Sequence, residues 1–440
     1  MVTDMTEGSP SRLLWKFSIP ILFSVIFQQL YSIVDSIVAG KFIGDNALAA
    51  VGASYSITMI FMAVATGLNG GSSVVISQLF GGRLFGRMKE AISTALITVF
   101  ITSISLSILG FLLCKPILRA LQTPQEIFSD SMLYLNIYIA GLIFLFLYNI
   151  CTGIFTALGD SRTPLYFLIA SSLGNIGLDL LFVIVFKWGV AGVAWATFIA
   201  QGMASVLAFI VLLKRLKKIE TEPYLRFSTS MLRRISRIAI PSILQASFVS
   251  VGSVLIQGIV NGFGPATIAS FSLAIKLNTF AVTSFNTMAS GLSSFAAQNM
   301  GANKPERVKK GFRASLVMAV CIIIPFLLGY LLFGPQIVGI FVEDSSVEVI
   351  QCTTQFLYIV SPFYFVLMFK LMGDSVLRGA GQMKQFMVTT FSDLIIRVIL
   401  CYILAPMLGI MGIWLSWPIG WTIGTVLSYA FYKNGKWEKL

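Results

Sequence analysis

Two stretches of the sequence carry acids in the middle of apolar runs. In "FQQLYSIVDSIVAGKFIG", residues 27–44, the acid is Asp35, and in "FLIASSLGNIGLDLLFVIVF", residues 167–186, it is Asp179. An ionised carboxyl at the centre of a membrane helix costs about 2.5 to 3.5 kcal/mol on insertion scales, so it calls for a partner, a proton or a water-filled cavity. Gln28, Tyr31, Ser32 and Asp35 fall at i, i+3, i+4 and i+7, one stripe of a helix. Asn175 and Asp179 are four apart and share a face. In the next apolar run, "VAGVAWATFIAQG", Thr197 offers a hydroxyl. By itself Thr197 reads first as packing, because an intramembrane Thr commonly bonds back to the carbonyl four residues earlier. Two carboxyls, an amide and a hydroxyl form an oxygen-rich set suited to a hard monovalent cation or to shared protons. The structural alternative has Asp35 hydrogen-bonded in helix packing and Asp179 capping or snorkelling.

The elements that would position these groups are membrane helices. Of 440 residues, 57% are hydrophobic and 11% charged, and the mean hydropathy is +0.88, beyond the range of ordinary soluble domains. Uncharged runs such as "AISTALITVFITSISLSILGFLLC" are long enough to cross a hydrocarbon core of roughly 30 Å. Twelve spans are expected, at 15–39, 47–74, 91–114, 131–153, 164–186, 190–213, 235–259, 267–295, 312–333, 351–377, 385–405 and 410–432. With both termini in the cytoplasm, inner segments hold 24 of the 31 Lys and Arg and outer loops hold four: Lys41, Lys115, Arg119 and Lys187. This positive-inside asymmetry accounts for the net charge of +13 through anionic lipid headgroups rather than nucleic acid. The first span serves as its own targeting signal, so the chain is expected in the cell membrane.

Sliding the chain along itself by 220 residues lays "SQLFGGRLFGRMKEA" over "AQNMGANKPERVKKG" and "GVAGVAWAT" over "GIMGIWLSW", with Gly159 meeting Gly379. The expected fold class is therefore an all-α polytopic membrane protein of two six-helix lobes. The N-terminal lobe spans 1–213, a basic cytoplasmic linker 214–233 and the C-terminal lobe 234–440. Six is even, so both lobes enter from the same side, and a pseudo-twofold axis lies along the membrane normal, a symmetry suited to alternating access. At this offset Asp35 and Asp179 fall on Leu255 and Ile399, so the acidic site exists once. The span-embedded cations Lys276, Lys370 and Arg397 all lie in the second half, where Asp374 and Asp393 each stand four residues from a cation; those pairs read as structural or as solvated near the cytoplasmic end. There is no P-loop, no zinc or cofactor motif and no histidine, so proton chemistry must use carboxylates and transport must draw on an ion gradient. Five scattered cysteines read as buried thiols. Nothing resembles a catalytic constellation, and no enzyme activity is expected.

The first-span "QQLYSIVDSIVAGKFIG", the turns "ALGDSRTP" and "VLRGAGQMK", the fifth-span N-x-x-x-D and the sixth-span "GVAGVAWAT", in that order along twelve spans, resemble the multidrug and toxic compound extrusion (MATE) transporters, and among them the N-lobe-aspartate, DinF-like type. The resemblance implies a monomeric antiporter that exports amphipathic, often cationic small molecules in exchange for Na⁺ or H⁺, with no other cofactor, through a cavity between V-shaped lobes. It also implies that Asp35, Asn175, Asp179 and Thr197 bind the ion. Gln28, Tyr31 and Asn149 would face the N-lobe cavity, and the first helix would bend at Pro20. A seventh-span glutamate found in some members is missing here, near Val249 and Ser250, which disfavours a C-lobe ion site of that kind. The rival reading is a flippase for lipid-linked oligosaccharide or lipid precursors, which would line its cavity with cations.

Overall fold

A backbone in hydrocarbon must satisfy its own N–H and C=O groups, and an apolar run of about 20 residues does so as a helix. The computed structural model describes residues 3–341 and 347–438, and no strand occurs among them. The side chains of residues 30–41, 45, 46, 48 and 56, and with them those of Tyr31 and Asp35, lie outside the described residues. The first series of helices is α1 (Pro10–Phe42), α2 (Asp45–Gly81), α3 (Phe85–Ala120), α4 (Gln125–Ala140), α5 (Leu142–Ala157), α6 (Arg162–Asp179) and α7 (Val190–Lys217). A π-helical segment, Leu180–Val185, continues α6. The second series is α8 (Thr229–Val260), α9 (Pro265–Gly301), α10 (Pro305–Gly339), α11 (Val347–Val360), α12 (Tyr364–Gly379), α13 (Met383–Leu408) and α14 (Ile410–Lys433). Helices α4 and α5 form one span bent by 48° at Gly141, and α11 and α12 form another, so these helices make up to twelve spans.

The chain divides into two compact units, one of residues 1–4 and 19–243, the other of residues 5–18 and 244–440. The same pairings recur inside each: α2 with α5 and α6 with α7 in the first, α9 with α12 and α13 with α14 in the second. The chain passes from one unit to the other inside α1, between Ser18 and Ile19, and inside α8, between Ile243 and Leu244. Each crossing lies within three residues of a helix-embedded proline, Pro20 or Pro241, where a backbone hydrogen bond is missing. Helix α1 runs through Pro20 as one element, and Ser24 Oγ donates to Pro20 O at 3.0 Å. The basic linker lies along α3: Lys89 Nζ donates to Ile219 O at 2.6 Å and Ser228 N to Thr94 Oγ1 at 3.1 Å.

The backbone itself records the repeat. Left-handed φ values pair at Gly44 and Gly264, at Arg83 and Asn303, and at Gly189 and Gly409, each pair 220 residues apart. Gly159 pairs instead with Gly381, at φ 76° and 78°, which corrects the match of Gly159 with Gly379. Both glycines close a helix end in the same way, Asp160 N donating to Phe155 O and Gln382 N to Leu377 O, each at 2.8 Å. The two-residue offset arises at the break of the tenth span, where a 3₁₀ turn, Ser361–Phe363, precedes α12; α5 and α12 then each have 16 residues. It is removed in the fifth span. Thirty residues separate Gly159 from Gly189 but twenty-eight separate Gly381 from Gly409, and the π-helical segment, whose bonds run from i to i+5, takes up the excess. Asp179 therefore corresponds to Cys401 rather than Ile399, and Asn175 to Arg397.

The turn "ALGDSRTP" holds unit 1 together at one end. Asp160 Oδ1 accepts the backbone N–H groups of Arg162 and Thr163 at 3.0 and 3.1 Å, while Oδ2 accepts the Thr163 hydroxyl at 2.7 Å and the Arg215 guanidinium at the end of α7. Burial pushes the Asp160 carboxyl up, but the bonds from Arg215 and Thr163 outweigh it and hold the group below its ordinary value of 3.8. A lowered carboxyl stabilises the fold above its unfolded value and loses that contribution as pH falls through the folded one. Asp160→Asn should therefore cost about 2 to 3 kcal/mol near neutral pH, seen as earlier thermal unfolding in detergent, and the gap to the parent should narrow on acidification.

Candidate functional site

Within unit 1, helices α6 and α7 lie side by side, and their facing polar groups meet. Asn175 Nδ2 donates to Thr197 Oγ1 over a long 3.4 Å. Asn175 is buried, and its Oδ1 has no hydrogen-bond partner among the described residues. Asp179, one turn further along α6, is 0% exposed and stands where the α-helix passes into the π-helical segment. Such π insertions are frequent at functional sites because they re-aim side chains and loosen the ladder of backbone bonds. The backbone of residues 30–41 continues α1; the ion-site and cavity assignments of Asp35 and Tyr31 fall on side chains outside the described residues.

A cavity of about 170 Å³ opens beside this pair, lined among others by Gln28, Tyr148, Asn149, Asn175, Thr197 and Gln201. Gln28 is exposed, and Asn149 turns its amide back to its own helix, Nδ2 donating to Leu145 O at 2.9 Å. The volume holds several waters or a small ion and falls below the roughly 300 to 1,000 Å³ of drug-sized pockets. Tyr148 and Gln201 were not singled out by the sequence reading. The spacing that would have found Gln201 is there, since it follows Thr197 by four residues and so repeats its face.

The corresponding place in unit 2 is filled. Arg397, at the position of Asn175, stacks over the ring of Trp417, at the position of Thr197, 4.4 Å from the centroid. Arg397 Nη2 bonds Asp393 Oδ1 at 2.7 Å, Lys370 Nζ bonds Asp374 Oδ2 at 3.1 Å and lies 3.7 Å from Asp393 Oδ2, and the hydroxyls of Thr389 and Ser428 donate to Asp374 Oδ1 at 2.8 Å. All four charged residues are buried, so the two helical pairs form one internal network rather than solvated ends. Glycines make the room. A Cβ at Gly424 would lie 2.7 Å from Lys370 Cε, and one at Gly420 would lie 2.9 Å from Asp393 Oδ1. Their counterparts 220 residues earlier, Ala200 and Ala204, line the unit 1 cavity. Lys276, the third embedded cation, is exposed.

Up to twelve membrane spans, repeated six and six and enclosing a polar site within one repeat, are the build of a secondary transporter. The MatE family model matches residues 20–181 and again 241–403, starting each time at or beside the proline where the chain changes unit, and the chain belongs to that family, the MATE transporters. It is 27% identical over 439 residues to the probable multidrug resistance protein YpnP of Bacillus subtilis (strain 168), covering 99% of this chain and 98% of that one. It is 25% identical over 349 residues to an FAD transporter of Shewanella oneidensis, covering 76% and 75% of the two chains. Among solved structures it resembles an outward-facing conformation of a multidrug resistance MATE family transporter of the MOP superfamily, with a TM-score of 0.92 at 22% identity over 98% and 97% of the chains.

Removing one member of the unit 2 network leaves an opposite charge buried without its partner. Arg397→Met should destabilise the protein by about 3 to 5 kcal/mol, and Arg397→Met combined with Asp393→Asn should recover at least half of that. Thermal unfolding of the purified variants in detergent checks both.

Proposed function

We propose that this protein is a multidrug exporter of the cell membrane, with both termini cytoplasmic, that expels amphipathic cationic compounds in exchange for Na⁺ or H⁺ by alternating access. The observation that carries the reading is the meeting of Asn175 and Thr197 beside fully buried Asp179 at the edge of a water-sized cavity. No Lys or Arg occurs in residues 163–186 or 190–213, so α6 and α7 offer the carboxyl oxygen ligands and not a charge of opposite sign. Together with Asp35 on α1 these residues form the ion site of the N-lobe-aspartate type, and no further cofactor is needed. In this mechanism an ion or proton arriving from outside neutralises Asp35 and Asp179. Their like charges would otherwise repel at short range in a low dielectric, so neutralisation favours the state in which α1 has shifted and drug is released. Reopening inward discharges the ion. The drive comes from the different affinity of the ion for the two states.

The relatives named for multidrug resistance or export support the substrate class. The flippase reading needs cations free to hold a pyrophosphate. Lys370 and Arg397 are instead bound to Asp374 and Asp393 inside unit 2, which favours drug export.

In proteoliposomes loaded with a fluorescent cationic dye, Asp35→Asn and Asp179→Asn should each lower ion-driven efflux to about a tenth of the parent rate or less, a loss of about 1.4 kcal/mol or more. Separate Na⁺ and pH gradients identify the ion. Full coupling in both variants would remove the site from the mechanism.

A further inference from the structure

The larger cavity of unit 1 does not end at the Asn175–Thr197 pair. A second cavity, of about 20 Å³, adjoins it and shares Leu145, Thr197 and Gln201 in its lining. Its other walls include Tyr134 and Tyr138 of α4, Gly141 at the break, and Ala194 of α7. The order along the helices is consistent. On α7 the small cavity draws on residues 194 to 201 and the large one on 197 to 204; on the fourth span the small one draws on 134 to 145 and the large one on 145 to 149. The two spaces thus follow one another toward the cytoplasmic ends proposed above. Asn175 is the last residue of α6 to line the large cavity, and Asp179 lies a turn beyond it on the side of the small one. The polar pair stands between them.

Size separates what each space can admit. About 20 Å³ is room for roughly one water and no drug. The walls are suited to a partly dehydrated ion: Tyr134 and Tyr138 are half-buried, with rings 6.4 Å apart, and the chain breaks at Gly141, where non-helical backbone at membrane depth borders a cavity. Discontinuous helices frame ion sites in transporters for this reason. Phe198 closes tightly on the break, its ring 3.1 Å from where a Gly141 Cβ would stand and edge-on to Phe144 at 5.3 Å.

We propose that the small cavity is the coupling ion's own entrance. On the exchange reading above, a monovalent cation or proton passes between α4 and α7, by Tyr138, Ala194 and Gln201, and reaches Thr197 and Asn175 from the outer half of the lobe without using the path of the drug.

The test uses the full chain with Cys321→Ser and Cys352→Ser, since the other three cysteines are buried, and adds Ala194→Cys. The probe is Ag⁺, a monovalent cation that displaces the thiol proton to the buffer and forms a sulfur–silver bond. Silver should react with the added thiol in the folded protein, and Na⁺ or protons should slow the reaction. The silvered protein should keep its affinity for a cationic dye in detergent within about twofold, while gradient-driven dye efflux in proteoliposomes falls about tenfold or more. The same silver treatment should leave the background protein unaffected. Tyr134→Cys repeats the measurement should Ala194→Cys fold poorly. A thiol that silver cannot reach, or full silver occupancy with efflux within about twofold of the unmodified variant, would overturn the route. Absence of any gradient-driven efflux in the background protein would overturn the exchange reading instead, and silver modification with its protection by Na⁺ or protons would still decide the route.

Discussion

A carboxylate on a helix in a low-dielectric lobe has to be balanced, and the cost of leaving it unbalanced shapes both repeats of this chain. Unit 2 carries the balancing cations in its own sequence. Arg397 and Lys370 hold Asp393 and Asp374, Ser428 and Thr389 complete the carboxylate's bonds, and two glycines let α14 approach closely enough to seal the network. Unit 1 has no such cation on α6 or α7, and has alanines where the glycines stand. Space remains there, and the space is lined with oxygen and amide groups. One repeat keeps its charge inside the fold, and the other leaves a vacancy of ionic size next to a buried acid.

The irregularities of the helices fall where this difference is expressed. The π-helical segment after Asp179 has no counterpart in the described part of α13, and it absorbs the residues by which the fifth span is longer than the eleventh. The fourth span breaks at Gly141 and the tenth at Ser361, 220 residues later, so both repeats interrupt the same helix. In unit 1 the break borders a cavity, whereas in unit 2 Tyr364 follows it and donates its hydroxyl to Asn278 at 3.1 Å inside an aromatic cluster. A shared backbone device serves an open space in one repeat and a packed one in the other.

Much of this was legible in the residues. Apolar runs of spanning length and a basic bias between them determined that the chain is a polytopic helical membrane protein, because in hydrocarbon only local backbone bonds can satisfy the peptide groups. The repeat was visible in glycines and charged turn residues, and the pairing of Asn175 with Asp179 and of each cation with an acid followed from helical spacing. These are properties of a single helix or of the order of helices, and the sequence carries both.

What crosses between helices was decided by the tertiary structure. A single offset hid the two-residue slip that sets Asn175 against Arg397, since a 3₁₀ turn and a π segment compensate one another before the next glycine. Spacing could not show that Lys370 also reaches Asp393, that Thr197 meets Asn175, or that Gln201 joins two cavities. Each depends on how closely neighbouring helices approach, and that distance is set by small residues on one helix against bulky or charged ones on another, a relation no single helix contains.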